Sequence, residues 1–183
     1  MMSSKARTGQ IAEIAGPRHA NIFPNANVAA SMIGKSKRVL FVVGSEADKT
    51  RTDDGDLIDT AIRVIKNPKV SVVATGHLVG RFRKRGVEEA YSMPIFVLGK
   101  KLADPDWMGF DGKGRYDSVL LAGFPYYMEW LLESGLKNFA QAVRTISLER
   151  YYQPNAQWSL GWMPEPEWRE AISLIASKLE EAQ

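Results

Sequence analysis

Few side chains in this sequence are of a kind that does chemistry, and their spacing narrows the field further. There is no cysteine, which removes thiol nucleophiles and disulfide exchange and leaves no thiolate set for an iron–sulfur cluster. The two histidines, His19 and His77, lie far apart in the chain, and neither has the local partners that a zinc or non-haem iron site needs. His77 is the residue a catalytic reading would choose, because it follows a strand-like run. A general base there needs an acid or nucleophile within reach, and the sequence supplies none, so a loop hydrogen bond or a partner contact is the simpler account. Asp53-Asp54-Gly55-Asp56 carries the acids of a calcium loop without the EF-hand order. Negative charge at a helix N-terminus explains it more simply. Arg81, Arg83, Lys84 and Arg85 form the one dense basic run, read as a solvated helix face, with an anionic cofactor or an acidic partner as the alternative.

The glycines are more informative. Gly44-Ser45, Gly76-His77 and Gly123-Phe124 each follow a short apolar run, and Arg150-Tyr151 follows a fourth. In an open parallel sheet the ligand crevice lies past the carboxyl ends of the strands, where strand order reverses. Small residues there leave room for a ligand or for another backbone. Neither Gly44-Ser45-Glu46-Ala47 nor Gly76-His77-Leu78-Val79-Gly80 has the G-x-G-x-x-G spacing of a dinucleotide site, and no Gly-Lys-Ser/Thr stands at a strand end. Tyr126, Tyr127, Trp130, Tyr151, Tyr152, Trp158 and Trp162 are ordinary core residues or interface anchors. The stretch from Tyr151 to Trp162 is otherwise polar and loop-like, which points to an interface.

The elements that must position these groups follow from hydrophobic periodicity. Arg38–Ser45 is a continuous β-branched run, as expected of a strand buried on both faces. Val70–Ala74, Ser118–Ala122 and Thr145–Leu148 read as three more strands. Helices are expected over Asn25–Lys37 with Val28, Met32 and Ile33 on one face and Asn25 or Asn27 as cap, and after Asp56 with Ile58, Ala61, Ile62 and Ile65 in one stripe. Further helices are expected from Leu78 to Arg85, from Ile95 to Leu102, around Met128, Leu131, Leu132 and Leu136, and from Pro166 to Glu180 with Trp168, Ile172, Ile175 and Leu179 inward. Asp104–Tyr116 is rich in turn pairs and belongs at the surface. The alternation of strand and helix predicts an α/β fold on a mostly parallel sheet covered on both faces. Residues 1–24 read as an N-terminal arm, either loose or docked on a partner, and 25–183 as one domain.

Composition sets the outer bounds. A chain of 183 residues with 45% hydrophobic content suits one domain with a real core. A net charge of +3, from 24 basic and 21 acidic residues, argues against a dedicated nucleic-acid binder. The longest apolar run, Val39 to Val43, is far short of a bilayer span. With no signal-peptide core, the expected location is cytoplasmic.

Several strings carry a family likeness. They are Gly16-Pro17, Val42-Val43-Gly44-Ser45, Val72-Val73-Ala74-Thr75-Gly76-His77, Asp104-Pro105-Asp106-Trp107, Gly109-Phe110-Asp111-Gly112-Lys113-Gly114 and Pro125-Tyr126-Tyr127. The strongest is Thr145-Ile146-Ser147-Leu148 followed by Arg150-Tyr151-Tyr152-Gln153-Pro154-Asn155-Ala156 and Trp158-Ser159. From about Gly16 to Trp168 the chain resembles the epsilon subunits of the archaeal acetyl-CoA decarbonylase/synthase complex. The resemblance implies a Rossmann-like three-layer fold, similar to the NAD/FAD-binding domain of deoxyhypusine synthase. It implies a non-catalytic accessory role beside the carbon monoxide dehydrogenase alpha subunit, in an assembly of two alpha and two epsilon chains. The nickel and iron–sulfur centres are then expected on the alpha chain only. The implied task is to stabilise that component or to help pass electrons to FAD. The contact residues expected are Tyr151, Tyr152, Gln153, Asn155 and Trp158, exposed in the isolated chain, which could also form a homodimer. The competing expectation is an autonomous FAD- or NAD-binding redox module, with the diphosphate near Gly44 and Ser45 and the flavin or base near Gly76, His77, Gly123 and Phe124. A sirtuin-like or synthase-like enzyme is a third reading, for which no base and no complete cofactor site are visible.

Overall fold

The computed structural model describes residues 19–181. In chain order the elements are β1 (Asn21–Ile22), α1 (Ala26–Gly34), β2 (Val39–Val43), β3 (Arg51–Thr52), β4 (Gly55–Asp56), α2 (Leu57–Val64), β5 (Val70–Ala74), α3 (Gly76–Lys84), β6 (Tyr91–Ser92), α4 (Ile95–Ala103), β7 (Ser118–Ala122), α5 (Tyr126–Phe139), β8 (Arg144–Ser147), β9 (Trp158–Ser159) and α6 (Glu165–Glu181). Seven strands form one sheet in the order β1-β9-β8-β7-β2-β5-β6, and every pairing in it is parallel. The strands β3 and β4 form a separate antiparallel pair.

The path of the chain explains the order. From β2 it moves outward through β5 to β6, returns to β7 on the other side of β2, and moves outward again through β8 and β9. The reversal therefore falls between β2 and β7, where an open α/β sheet places its crevice. Alternate residues of the central strands face opposite layers. Val39, Phe41 and Val43 pack with α1, α2, α3 and α6. Leu40 and Val42 pack with α4 and α5 alone. This is the three-layer α/β arrangement expected from the alternation of elements, and among the described residues no helix is long and apolar enough to cross a membrane.

Three expectations change. At the end of the expected arm Asn21 and Ile22 pair with Trp158 and Ser159 as an edge strand and Phe23 is buried; residues 1–18 lie outside the described residues. On α1 the buried face is Ala29, Ala30 and Ile33, while Val28 is exposed. Asn25 is the cap, its side chain accepting from the Val28 N–H at 3.0 Å. On α5 the inward face is Glu129, Leu132, Glu133 and Leu136, while Leu131 is exposed.

The acids at 53–56 act as the helix-start reading expects. Asp56 caps α2 by accepting from the Ile58 and Asp59 N–H groups, and Asp59 accepts from the Asp56 N–H, a reciprocal capping box. The basic run is largely ion-paired: Arg81 meets Asp48, Arg83 meets Glu88, and Arg85 meets Asp56 and Asp59. Burial opposes the charged form of Asp56, but the Arg85 guanidinium and the helix N–H groups outweigh it and hold the carboxyl below its usual range. Asp56→Ala removes the cap and the Arg85 pair together. It should cost about 2 kcal/mol, read as a lower urea midpoint at unchanged slope.

Candidate functional site

The carboxyl ends of β2 and β7 meet in direct contact. The Gly44 N–H donates to the Ala122 carbonyl at 2.9 Å, and the Glu46 N–H donates to the Gly123 carbonyl at 2.8 Å. A Cβ built on Gly44 would stand 2.3 Å from the Gly123 carbonyl oxygen and 2.5 Å from the Phe124 ring. Gly123 itself has a φ of +80°, a conformation glycine adopts without cost. So the small residues at these strand ends let two backbones approach one another.

The N–H groups that follow β7 are also engaged. Gly123 and Phe124 both donate to Oε1 of Glu149, at 2.6 and 3.0 Å. Paired backbone donors ahead of a helix form an anion site, and here the anion is the chain's own carboxylate. Burial raises the affinity of Glu149 for its proton, the two N–H groups oppose this, and the net result is a carboxyl pushed up to about 7. The two N–H donors that a diphosphate would use at this point are therefore engaged by Glu149.

Glu149 lies at the edge of a cleft of about 340 Å³. Its charged lining is Glu46, Glu149 and Glu165 against Lys49, Arg51 and Arg150, with Phe124, Tyr126, Tyr151 and Trp168 among its rings. The Trp168 indole N–H donates to the Leu148 carbonyl at 2.7 Å. The guanidinium of Arg150 lies over the Tyr151 ring, 4.8 Å from its centre.

Two further carboxyls stand behind this cleft. Glu129 and Glu133 on α5 are both fully buried. Desolvation is the main reason that both hold their protons well above the ordinary range. The neighbouring carboxyls Glu133 and Glu149 add to it for Glu129. For Glu133, the hydrogen bond from Glu129 opposes it and the charge of Glu149 adds to it. Gln153 joins the group through Nε2, which donates to Glu129 at 3.4 Å and to the Tyr126 carbonyl at 3.2 Å. Among the described residues no three acids or histidines are placed to hold a metal ion.

The expected cofactor residues are only partly brought together. Gly44, Gly123 and Phe124 meet at the reversal point, with Ser45 half-buried beside them. Gly76 and His77 are exposed at the end of β5 and do not line the cleft.

The expected contact residues are not exposed, and this is a correction. Tyr152, Gln153 and Asn155 are buried, while Tyr151 and Trp158 are half-buried. The segment that contains them is a strap across α5. Tyr126 donates through its hydroxyl to the Tyr152 carbonyl at 3.3 Å, and the Asn155 amide donates to the Trp130 carbonyl at 3.2 Å. Tyr152 donates to the Ala20 carbonyl at 3.1 Å, and Trp158 stacks on Phe23 with ring centres 4.8 Å apart. Polar side chains here satisfy backbone groups that a buried loop would otherwise leave without partners, so a loop-like composition does not make an exposed surface. Tyr151 keeps an open face toward the cleft.

Sequence reasoning missed Glu129, Glu133 and Glu149. The signal was present in part: 129, 132, 133 and 136 have helical stripe spacing, but two carboxyls in the stripe made 128, 131, 132 and 136 look like the inner face.

Known proteins match this chain over most of its length. Residues 5–175 match the family model described as CO dehydrogenase beta subunit/acetyl-CoA synthase epsilon subunit. The chain is 36% identical over 153 residues to the acetyl-CoA decarbonylase/synthase complex subunit epsilon of Methanothrix soehngenii, covering 83% of this chain and 79% of that protein. It is 33% identical over 153 residues to subunit epsilon 1 of the same complex in Methanosarcina barkeri, covering 83% and 85%. It is 31% identical over 157 residues to subunit epsilon of Methanothermobacter thermautotrophicus, covering 85% and 86%.

Proposed function

Because the chain belongs to the CO dehydrogenase beta subunit/acetyl-CoA synthase epsilon subunit family, we propose that it is an accessory subunit of an acetyl-CoA decarbonylase/synthase complex. In this reading it docks on the carbon monoxide dehydrogenase alpha subunit, in a unit of two alpha and two epsilon chains, and stabilises it. Nickel and iron–sulfur chemistry belongs to that partner. The observation that carries the accessory role is the engaged strand ends: Gly44 lies against Gly123, and Glu149 takes the N–H donors that a diphosphate would use. The donors that would hold a diphosphate there are satisfied from within the chain, which favours a structural task over an autonomous FAD- or NAD-binding module.

The test is anaerobic co-purification of the chain with the alpha subunit, with flavin measured in the product. A stoichiometric complex free of flavin is the expected result. A complex that takes up FAD only when both chains are present would assign an electron-transfer role to their shared surface. Failure to form any complex would overturn the reading.

A further inference from the structure

The two faces of the sheet are unequally covered. Four helices, α1, α2, α3 and α6, pack on one face, and only α4 and α5 on the other. The apolar side chains left in solvent follow this asymmetry. Of the eight large hydrophobic residues exposed among the described residues, five lie on α4 and α5: Phe96, Val97, Tyr127, Leu131 and Phe139. Phe139 is 77% exposed, a large cost for an isolated aromatic in water.

Three of them, Phe96, Leu131 and Phe139, line a groove rather than a bare surface. The seam between α4 and α5 holds a cavity of about 300 Å³ whose walls are almost wholly apolar. Phe96 and Leu131 rise beside it, and Gly99 and Gly135 form its floor. Gly99 lies in close contact with α5, since a Cβ there would stand 3.0 Å from the Leu132 side chain. Gly135 has no such reason: a Cβ there would meet nothing within 4 Å. A helix interior normally disfavours glycine by about 1 kcal/mol, and here it leaves the groove open.

Charge selects the occupant. Lys100 lines the groove, and Lys101, the next residue of α4, is exposed. Among the described residues no acidic residue lines it. A protein interface has an apolar centre and a charged rim matched by opposite charge on the partner. A second copy of this chain would bring lysines to lysines. We propose that the α4–α5 groove is the docking surface for an apolar segment of the partner subunit whose flanks carry carboxylates. This rests on the accessory-subunit reading above and adds where and through what chemistry the partner is held.

The test measures the affinity of the full chain for the purified alpha subunit, anaerobically, for wild type, Gly135→Glu, Phe139→Ser and the double variant Lys100→Glu/Lys101→Glu, with Val28→Ser on α1 as the control. All substituted positions are open or exposed, so melting temperatures should stay near wild type. The expected result is a loss of about tenfold to a hundredfold for Gly135→Glu and Phe139→Ser, and no change for Val28→Ser. Wild-type binding should weaken as salt rises, and the lysine double variant should lose that dependence. Wild-type affinity in the two groove variants would overturn the groove while leaving the accessory role intact. An unchanged salt response in the lysine variant would overturn the acidic flanks. An isolated chain that sediments as a dimer, and as a monomer once Gly135→Glu is introduced, would give the groove to a second copy. Binding lost on removal of residues 1–18, with the groove variants unaffected, would give the docking role to that segment. Wild type that does not bind the alpha subunit at all overturns both proposals.

Discussion

Gly44→Val is expected to cost on the order of 3 kcal/mol or to prevent accumulation of folded protein. The nearest atoms to the new Cβ are the carbonyl of Gly123 and the ring of Phe124, at 2.3 and 2.5 Å. The carbonyl already accepts from the Glu46 N–H, so it cannot retreat without breaking that bond and parting the central strands β2 and β7. Gly44→Ala should show most of the same loss, because the collision begins at the Cβ. Gly80→Ala is the control. Gly80 sits inside α3 with nothing within 4 Å of a Cβ, so alanine there should be neutral or stabilising by up to about 1 kcal/mol. Urea unfolding of the three variants checks the ranking, and equal midpoints for Gly44→Ala and Gly80→Ala would refute close approach as the reason for Gly44. Loss of flavin uptake in Gly44→Val would therefore report on folding. Glu149→Gln is the better probe of the crevice, since its amide oxygen can still accept from the two N–H groups.

The layers of the fold were legible because they depend on local periodicity. Val70–Ala74 and Ser118–Ala122 are strands at their expected bounds, and the Asp56 cap and the α6 stripe follow from spacing alone. The short strands were not legible. Each of β1, β6 and β9 has two residues; β6 and β9 exist by pairing with the longer β5 and β8, and β1 by pairing with β9, which no local pattern reports. The site was half legible. Glycines at strand ends located the reversal point, but whether they admit a ligand or a backbone depends on the distance between β2 and β7. The strap from Tyr151 to Ala156 shows the same limit. Its polar residues satisfy carbonyls on α5 more than twenty positions away in sequence, so their burial is a tertiary fact.

Acid should stabilise this protein over a range where many proteins are indifferent. Glu129, Glu133 and Glu149 all bind protons more tightly in the folded chain than in the unfolded one. A carboxyl with a raised folded value gives its full stabilisation below its unfolded value of 4.5, and loses it as pH climbs through the folded value. For Glu149 the window runs from 4.5 to about 7; for the α5 pair it extends well above 4.5. The Arg150 and Lys137 charges oppose these shifts and Glu46 reinforces the one at Glu149, so the window belongs to the whole group. Asp56 acts in the other sense, its contribution being lost as pH falls through its lowered folded value. Stability should therefore peak near pH 4.5 and decline toward pH 8. The rise at Glu149 alone corresponds to a loss on the order of 3 kcal/mol across its window. Glu149→Gln, neutral at every pH, should remove that share of the decline, and Glu133→Gln should flatten what remains at higher pH. Urea unfolding at half-unit intervals from pH 4.5 to 8.5 reads both. A wild-type profile that is flat from pH 5 to 8 would mean the three carboxyls are ionised at no cost, and would refute burial as the dominant influence on the cluster.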